Sequence, residues 1–346
     1  MVPPSDGRAF ADFEHAFHEA SSGRAIRRVV DIGGHRVGMT FAGEPLLRAM
    51  YPPFAHLETA GDADIEVGCW DSESSGVRLP RSIDPEAINR QSLPAFQRDA
   101  GERWSFARPD PGLSAYSMSQ SRGLYWWPAA SGITYGDLAG GLRAIINWSM
   151  AQRGLQFLHS AAVGRGGQAA LIVGQSGSGK SSTALTCLLA GMDYLGDDHC
   201  LLDLRESPVV HSVYAAAKLH TAQLERFPEL VTHVVNPVRE DGEKGVAILN
   251  PEFAAQLPRR LPISVVLVPA IGEGAMSRIE PLTRAAALLA LAPSTLLQMA
   301  AADTTGLGPM GSLVRAVPCY RLVLGSNRDS IAGQISSLLR TNGVAR

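Results

Sequence analysis

Apolar residues keep two different rhythms along this chain. Through residue 130 the runs are short and mostly alternating. Residues 10–20 read as an amphipathic helix. Val29-Val30-Asp31-Ile32 and Val37-Gly38-Met39 read as two strands around a Gly33-Gly34 turn. Residues 44–50 suit a helix, and 64–70 alternate as a strand does. The stretch 80–111 is rich in proline and charge, with one strand-like piece at Trp104-Ser105-Phe106. Segments 115–119 and 123–127 read as a hairpin. Residues 1–130 therefore form a small, strand-rich α+β domain without a catalytic motif. Its place ahead of the second region points to acceptor recognition.

From Tyr135 the spacing lengthens. Leu138, Leu142, Ile145, Ile146 and Met150 share one helix face. A strand over 157–163 and a turn at 164–168 lead into the apolar run Ala169-Ala170-Leu171-Ile172-Val173. Then come a helix over 180–189, a strand over 192–195, strands at 200–204 and 208–213, and a helix over 219–230. A charged loop at 239–244, a strong strand at 263–269, a helix over 285–301, a strand at 320–324 and a last helix over 329–340 complete the pattern. Strands and helices alternate, so the class is α/β for a second domain spanning 131–346.

Composition narrows the partners. The 346 residues are 45% hydrophobic and 18% charged, with a net charge of −2, which leaves no nucleic-acid footprint. Cys69, Cys187, Cys200 and Cys319 are scattered, as buried reduced thiols of a cytoplasmic protein are. The N-terminus has no apolar signal core, and the most apolar long stretch, 285–302, is interrupted by Pro293 and polar residues. The expectation is a cytoplasmic protein that does not enter membranes.

The chemistry lies in 169–198. The apolar strand feeds Gly174-Gln175-Ser176-Gly177-Ser178-Gly179-Lys180-Ser181. Glycines let successive N–H groups point inward at phosphate oxygens. Lys180 can reach the β- and γ-phosphates, and the Ser181 hydroxyl can hold Mg²⁺. The helix behind the loop aims its positive end at the same phosphates, and Gly191 suits its C-terminal cap. A glycine-rich turn without a ligand is the alternative, but a strand before and a helix after favour the phosphate loop.

Asp197 and Asp198 close the next strand, where open α/β sheets bind ligands. One can serve Mg²⁺ and the other can accept a hydroxyl proton. Asp197-Asp198-His199-Cys200 mixes hard and soft metal ligands, but neighbours in a strand point to opposite faces, which argues against a zinc site. Lys218, Lys244 and Arg284 follow the site and can neutralise phosphate charge, although each also reads as a solvated surface cation.

The order Leu158-His159-Ser160, Gly174–Ser182, Gly196-Asp197-Asp198 resembles the catalytic domain of HPr serine kinase/phosphorylase, whose nucleotide-binding core is similar to phosphoenolpyruvate carboxykinase. The resemblance covers 137–346 and is dense from 157 to 204. It implies a P-loop kinase domain using ATP and Mg²⁺. By that resemblance Gly174, Gln175, Ser176, Gly177, Ser178, Gly179, Lys180, Ser181 and Ser182 hold the nucleotide. Lys180 polarises the transferred phosphate, Ser181 and Asp197 serve the metal, Asp198 is the base, and His159 tunes it. For His159 taken alone, a satisfied core histidine is the better reading, and the resemblance brings the functional one level with it.

The family's downstream glutamate and arginine-bearing glycine-rich loop have no match; Glu240-Asp241-Gly242-Glu243-Lys244-Gly245 and the residues up to Leu249 are only loosely similar. That points away from HPr and toward the HPr-kinase-related proteins found beside peptide-tailoring genes, including lasso-peptide precursor kinases. Their acceptor is a serine or other hydroxyl on a peptide or small protein. A small-metabolite kinase acting on free serine or a sugar, and a regulatory module that binds nucleotide with little turnover, stay open. So does GTP or pyrophosphate as donor.

Overall fold

The computed structural model describes residues 8–85, 88, 101–106, 111–237, 242–298 and 307–343. Parts of the proline-rich stretch 80–111, of the charged loop 239–244 and of the predicted helix over 285–301 lie outside them. The chain divides into two compact units, 1–153 and 154–346, and the fold is mixed α/β.

In the first unit, helix α1 (Arg8–Ser21) repeats Phe10, Phe13 and Phe17 at helical spacing, and all three are buried. Phe13 lies 4.7 Å from Trp70 and 5.4 Å from Trp104, ring centre to ring centre. Strands β1 (Ile26–Ile32) and β2 (His35–Phe41) form the predicted hairpin across Gly33-Gly34. With β3 (Ile65–Asp71), β4 (Glu102–Phe106), β5 (Leu113–Ser117) and β6 (Arg122–Trp127) they make a sheet of order β1-β2-β3-β6-β5-β4. Helix α2 (Glu44–Met50) and the single turn α3 (Ser72–Ser75) flank it.

The single helix predicted by Leu138 to Met150 is two helices, α4 (Tyr135–Gly140) and α5 (Arg143–Ala151). Gly140 and Gly141 are poor helix formers, and Leu142 takes a left-handed conformation (φ 60°) between them. The first unit runs on through α5. Gln152 accepts a hydrogen bond from Tyr116 Oη at 2.9 Å, and Arg153 donates to the Asp64 carbonyl at 3.1 Å.

The second unit is built around one large sheet. Its strands are β7 (Gln156–Leu158), β8 (Ala161–Arg165), β9 (Gln168–Ile172), β10 (Asp193–Gly196), β11 (Cys200–Asp203), β12 (Val209–His211), β15 (Arg260–Ile271), β16 (Arg278–Pro281) and β17 (Cys319–Leu324). The order is β10-β8-β9-β15-β12-β11-β7, with β17 on β15 and β16 on β17. β13 (Ala216–Leu219) and β14 (Gly245–Ile248) form a separate two-stranded sheet. β9 shows why the sheet is covered twice. Ala170 and Ile172 join a core with α6 (Lys180–Leu189) and α10 (Arg328–Gly343). Ala169, Leu171 and Val173 join another with α8 (Arg284–Gln298) and α9 (Leu307–Ala316). A strand buried on both faces reads as a continuous apolar run, and this one does.

Two further expectations are corrected. The strand predicted over 157–163 is broken at His159-Ser160. The helix predicted over 219–230 shrinks to α7 (Thr221–Arg226), because Leu219 ends β13 and Pro228 cannot continue a helix. Pro293 lies inside α8. All four cysteines are buried and unbridged. Among the described residues no helix is long and apolar enough to cross a membrane.

Candidate functional site

The site is a gap in one antiparallel ladder. β7 and β8 are a single strand interrupted at His159-Ser160, and the strand facing them is interrupted at the same level, between β10 and β11. Leu158 faces Cys200, and Ala162 faces Gly196. The step between these pairs is the same on both strands, so register is kept across the gap. His159 and Ser160 therefore open toward Asp197, Asp198 and His199. Gly196 stands at the break. Its φ is 154°, and a Cβ there would stand 2.9 Å from the His199 carbonyl oxygen and 3.1 Å from Cys200 Sγ. A register shift between Tyr194 and Gly196 adds a bulge beside it.

The glycine-rich loop reaches the same edge by topology. β8 runs antiparallel to both β9 and β10, so β9 and β10 point the same way and their carboxyl ends emerge together. Gly174 leaves β9 with φ 155°, and a Cβ there would lie 2.7 Å from Ser178 Oγ. Gln175, Ser176 and Gly177 are exposed at the loop tip. Ser178 N donates to the Gln175 carbonyl at 3.2 Å. α6 begins at Lys180, as predicted. Lys180 Nζ donates to the carbonyls of Gly174 (2.7 Å) and Gln175 (3.1 Å). Burial lowers its pKa, against the pull of Asp198 and Asp197. Ser181 Oγ lies 3.4 Å from the Asp197 carbonyl oxygen, to which it donates. Ser182 Oγ accepts from Gln223 Nε2 at 3.3 Å.

The two carboxylates differ sharply. Asp197 is buried, and burial together with the charge of Asp198 raises its pKa to about 7, despite Lys218 and the nearby hydroxyls of Ser181 and Tyr194. Burial also opposes ionisation of Asp198. It is outweighed by His199, Lys218 and the hydrogen bond from His159, which hold the carboxyl well below the usual range. His159 Nε2 lies 3.1 Å from Asp198 Oδ1, His199 Nδ1 3.1 Å from Oδ2, and Lys218 Nζ 2.5 Å from Oδ2.

The structure thus brings together His159, Lys180, Ser181, Asp197 and Asp198. Of the three further cations, only Lys218 is shown to join them. Arg284 opens α8 and acts on the Cys319 thiol, two strands across from β9. Lys244 contributes its carbonyl, which accepts from Asn236 Nδ2 at 2.9 Å. His199 joins the carboxylate rather than a metal cluster, a role the sequence reading missed. Its signal was the pairing of 158 with 200, which sets the two histidines across from each other. Among the described residues no group of three or more His, Cys, Asp or Glu side chains is arranged to hold a metal ion.

No protein-family model and no curated protein sequence matches the chain. Among solved structures, the Hpr(Ser) kinase/phosphatase from Coxiella burnetii is similar over 55% of this chain and 92% of its own, at 13% identity and a TM-score of 0.33. A likeness this distant assigns neither an activity nor a residue.

Proposed function

We propose that the second unit is a kinase that uses ATP and Mg²⁺ to phosphorylate a hydroxyl, a serine on a peptide or small protein. One observation carries this reading. Lys180 and Ser181, at the mouth of a glycine-rich loop, share an edge with two aspartates, one of which is braced by a histidine.

The residues fit both ligands. The first N–H groups of α6 lack intrahelical partners and point at the loop, as phosphate requires. Ser178 Oγ is buried there with no hydrogen-bond partner among the described residues. Ser181 and Asp197 would hold Mg²⁺, which commonly takes few protein ligands beside substrate phosphates. Bound Mg²⁺ would neutralise charge on the phosphate oxygens. Lys180 would turn from the loop carbonyls to the terminal phosphate.

Asp198 orients the acceptor hydroxyl. The new O–P bond forms as the bond from phosphorus to the bridging oxygen of ADP breaks, and the hydroxyl proton passes to Asp198. A carboxyl held so acidic is a weak base, which favours the second reading, a nucleotide-binding regulatory module. Phosphoryl transfer through a loose transition state removes that proton late, so placement counts for more than basicity. The kinase reading stands on that ground.

The test is the full chain with ATP, Mg²⁺, a set of serine peptides and free serine, read by mass. Gain of one phosphate on a peptide supports the proposal, and gain on free serine alone points to a metabolite kinase. Nucleotide bound without any transfer leaves the regulatory module. Asp198→Asn should retain nucleotide and lose about 10²–10⁴-fold in transfer; full transfer in that variant would remove Asp198 from the chemistry.

A further inference from the structure

Lys218 sits on β13, outside the main sheet, yet two contacts fix it beside the site. Tyr194 Oη, from the strand that ends at the aspartates, donates to the Ala216 carbonyl at 3.1 Å. Downstream, Gln223 accepts from His220 N at 3.0 Å and donates to Ser182 at the first turn of α6. The strand is thereby tied both to the carboxylates and to the helix behind the glycine-rich loop. Alternation then decides direction. Ala217 and Leu219 join the core with α6, so Lys218 projects from the opposite side of β13, toward Asp198.

Charge and exposure narrow its role. Asp197 feels Lys218 as well as Asp198, and both aspartates act on Lys180, so two cations and two carboxylates share one small volume. Lys218 and Asp198 keep 18% and 25% of their side chains exposed, against 7% for His159 and 5% for His199. The lysine and Asp198 are therefore the open side of the cluster, and the histidines are its wall. An ammonium group has three donors and no acceptor. The contact to Asp198 Oδ2 uses one and leaves two for an incoming anion.

We propose that Lys218 is a second phosphate-contacting cation of this site, bridging Asp198 to the terminal phosphate of the bound nucleotide. This rests on the kinase reading above. The loop lysine meets the phosphate from the side of the nucleotide. Lys218 meets it from the side of the carboxylate that holds the acceptor, and so aligns the hydroxyl with phosphorus. It is a catalytic residue in the strict sense, because it touches the group transferred.

The diagnostic is discrimination between a triphosphate and a diphosphate, which a lysine serving only to hold Asp198 would not alter. Binding of ADP and of a non-hydrolysable ATP analogue, each with Mg²⁺, is measured by calorimetry on the full chain. Lys218→Met should weaken the analogue about tenfold while leaving ADP within about twofold, and Lys218→Arg should keep most of the difference. Thermal unfolding verifies the fold, and Lys218→Gln repeats the test should the methionine variant unfold. Equal loss for both nucleotides, or no loss for either, overturns the bridging role alone. A wild-type chain that binds neither nucleotide overturns the kinase reading, and this role with it.

Discussion

Each unit sets an aspartate at the centre of a cluster of partners, and the two are held in opposite ways. Asp71 in the first unit caps α3. Its Oδ1 accepts from Ser74 N (2.8 Å) and Ala130 N (3.4 Å), and its Oδ2 accepts from Ser74 Oγ (2.5 Å). Those partners are backbone amides and a hydroxyl, mostly within three residues. Asp198 in the second unit is held by His159, His199 and Lys218, ionisable side chains from three separate places in the sequence. Local neutral partners finish a turn and cost the fold little. Ionisable partners gathered around one carboxylate must be desolvated together, which gains the fold little beyond what apolar residues would supply. The first arrangement serves architecture, and the second marks chemistry.

The comparison breaks most visibly at Lys180. It is buried, and burial already lowers its pKa. Lys180→Met keeps the length of the side chain and removes the desolvated charge. Melting temperature should hold or rise, while affinity for Mg²⁺-ATP falls about a hundredfold, as for a lost hydrogen bond to a charged group. A fall in melting temperature with nucleotide affinity intact would make Lys180 architectural and erase the contrast between the units.

How much of this was legible in the sequence depends on how local the cause is. The bounds of α6 and the Gly33-Gly34 turn are set by neighbouring residues, and both read correctly. The break at His159-Ser160 is not written in its neighbours, since Phe157, Leu158, Ala161, Ala162 and Val163 stay apolar straight through it. It lies across from the break that follows Gly196 on the facing strand. β13 was missed because Ala215-Ala216-Ala217 favours helices and its partner lies at Gly245–Ile248. Without that strand, nothing in the sequence aims Lys218 at the carboxylates. Pro228 and the Gly140-Gly141 pair announce the two helix breaks, although the apolar spacing runs on through them. Lys180 and Asp198 were found because their motifs are contiguous, whereas His199 needed a strand register that no contiguous pattern supplies.

Asp71 gives the converse test. Asp71→Ala removes a helix cap and leaves two half-buried amides and a hydroxyl without their acceptor. Stability should fall by about 2 kcal/mol in denaturant unfolding. Asp71→Asn, which retains one acceptor oxygen, should recover part of it. Nucleotide affinity should not change in either variant. A loss of affinity without a loss of stability would place Asp71 among the functional residues and end its use as a contrast.

The finest distinction is between Asp197 and its neighbour. Burial and the charge of Asp198 raise the Asp197 pKa to about 7, so this carboxyl takes up a proton on folding. Its contribution to stability is then fully present below the ordinary carboxylate range, and it is lost as pH rises through about 7. The same proton competes with Mg²⁺ for the site. Mg²⁺-dependent nucleotide affinity should therefore climb with pH, by up to about tenfold per unit below 7, and level off above it. Asp197→Asn should bind Mg²⁺-nucleotide weakly and lose that part of the slope. It should also remove the decline in stability between about pH 4 and 7 seen without the metal. Because the nucleotide's own phosphate titrates in this range, the comparison of wild type with Asp197→Asn decides the matter. Identical slopes in the two would mean that Asp197 neither holds the proton nor meets the metal, and would leave Asp198 as the only functional carboxylate of the pair.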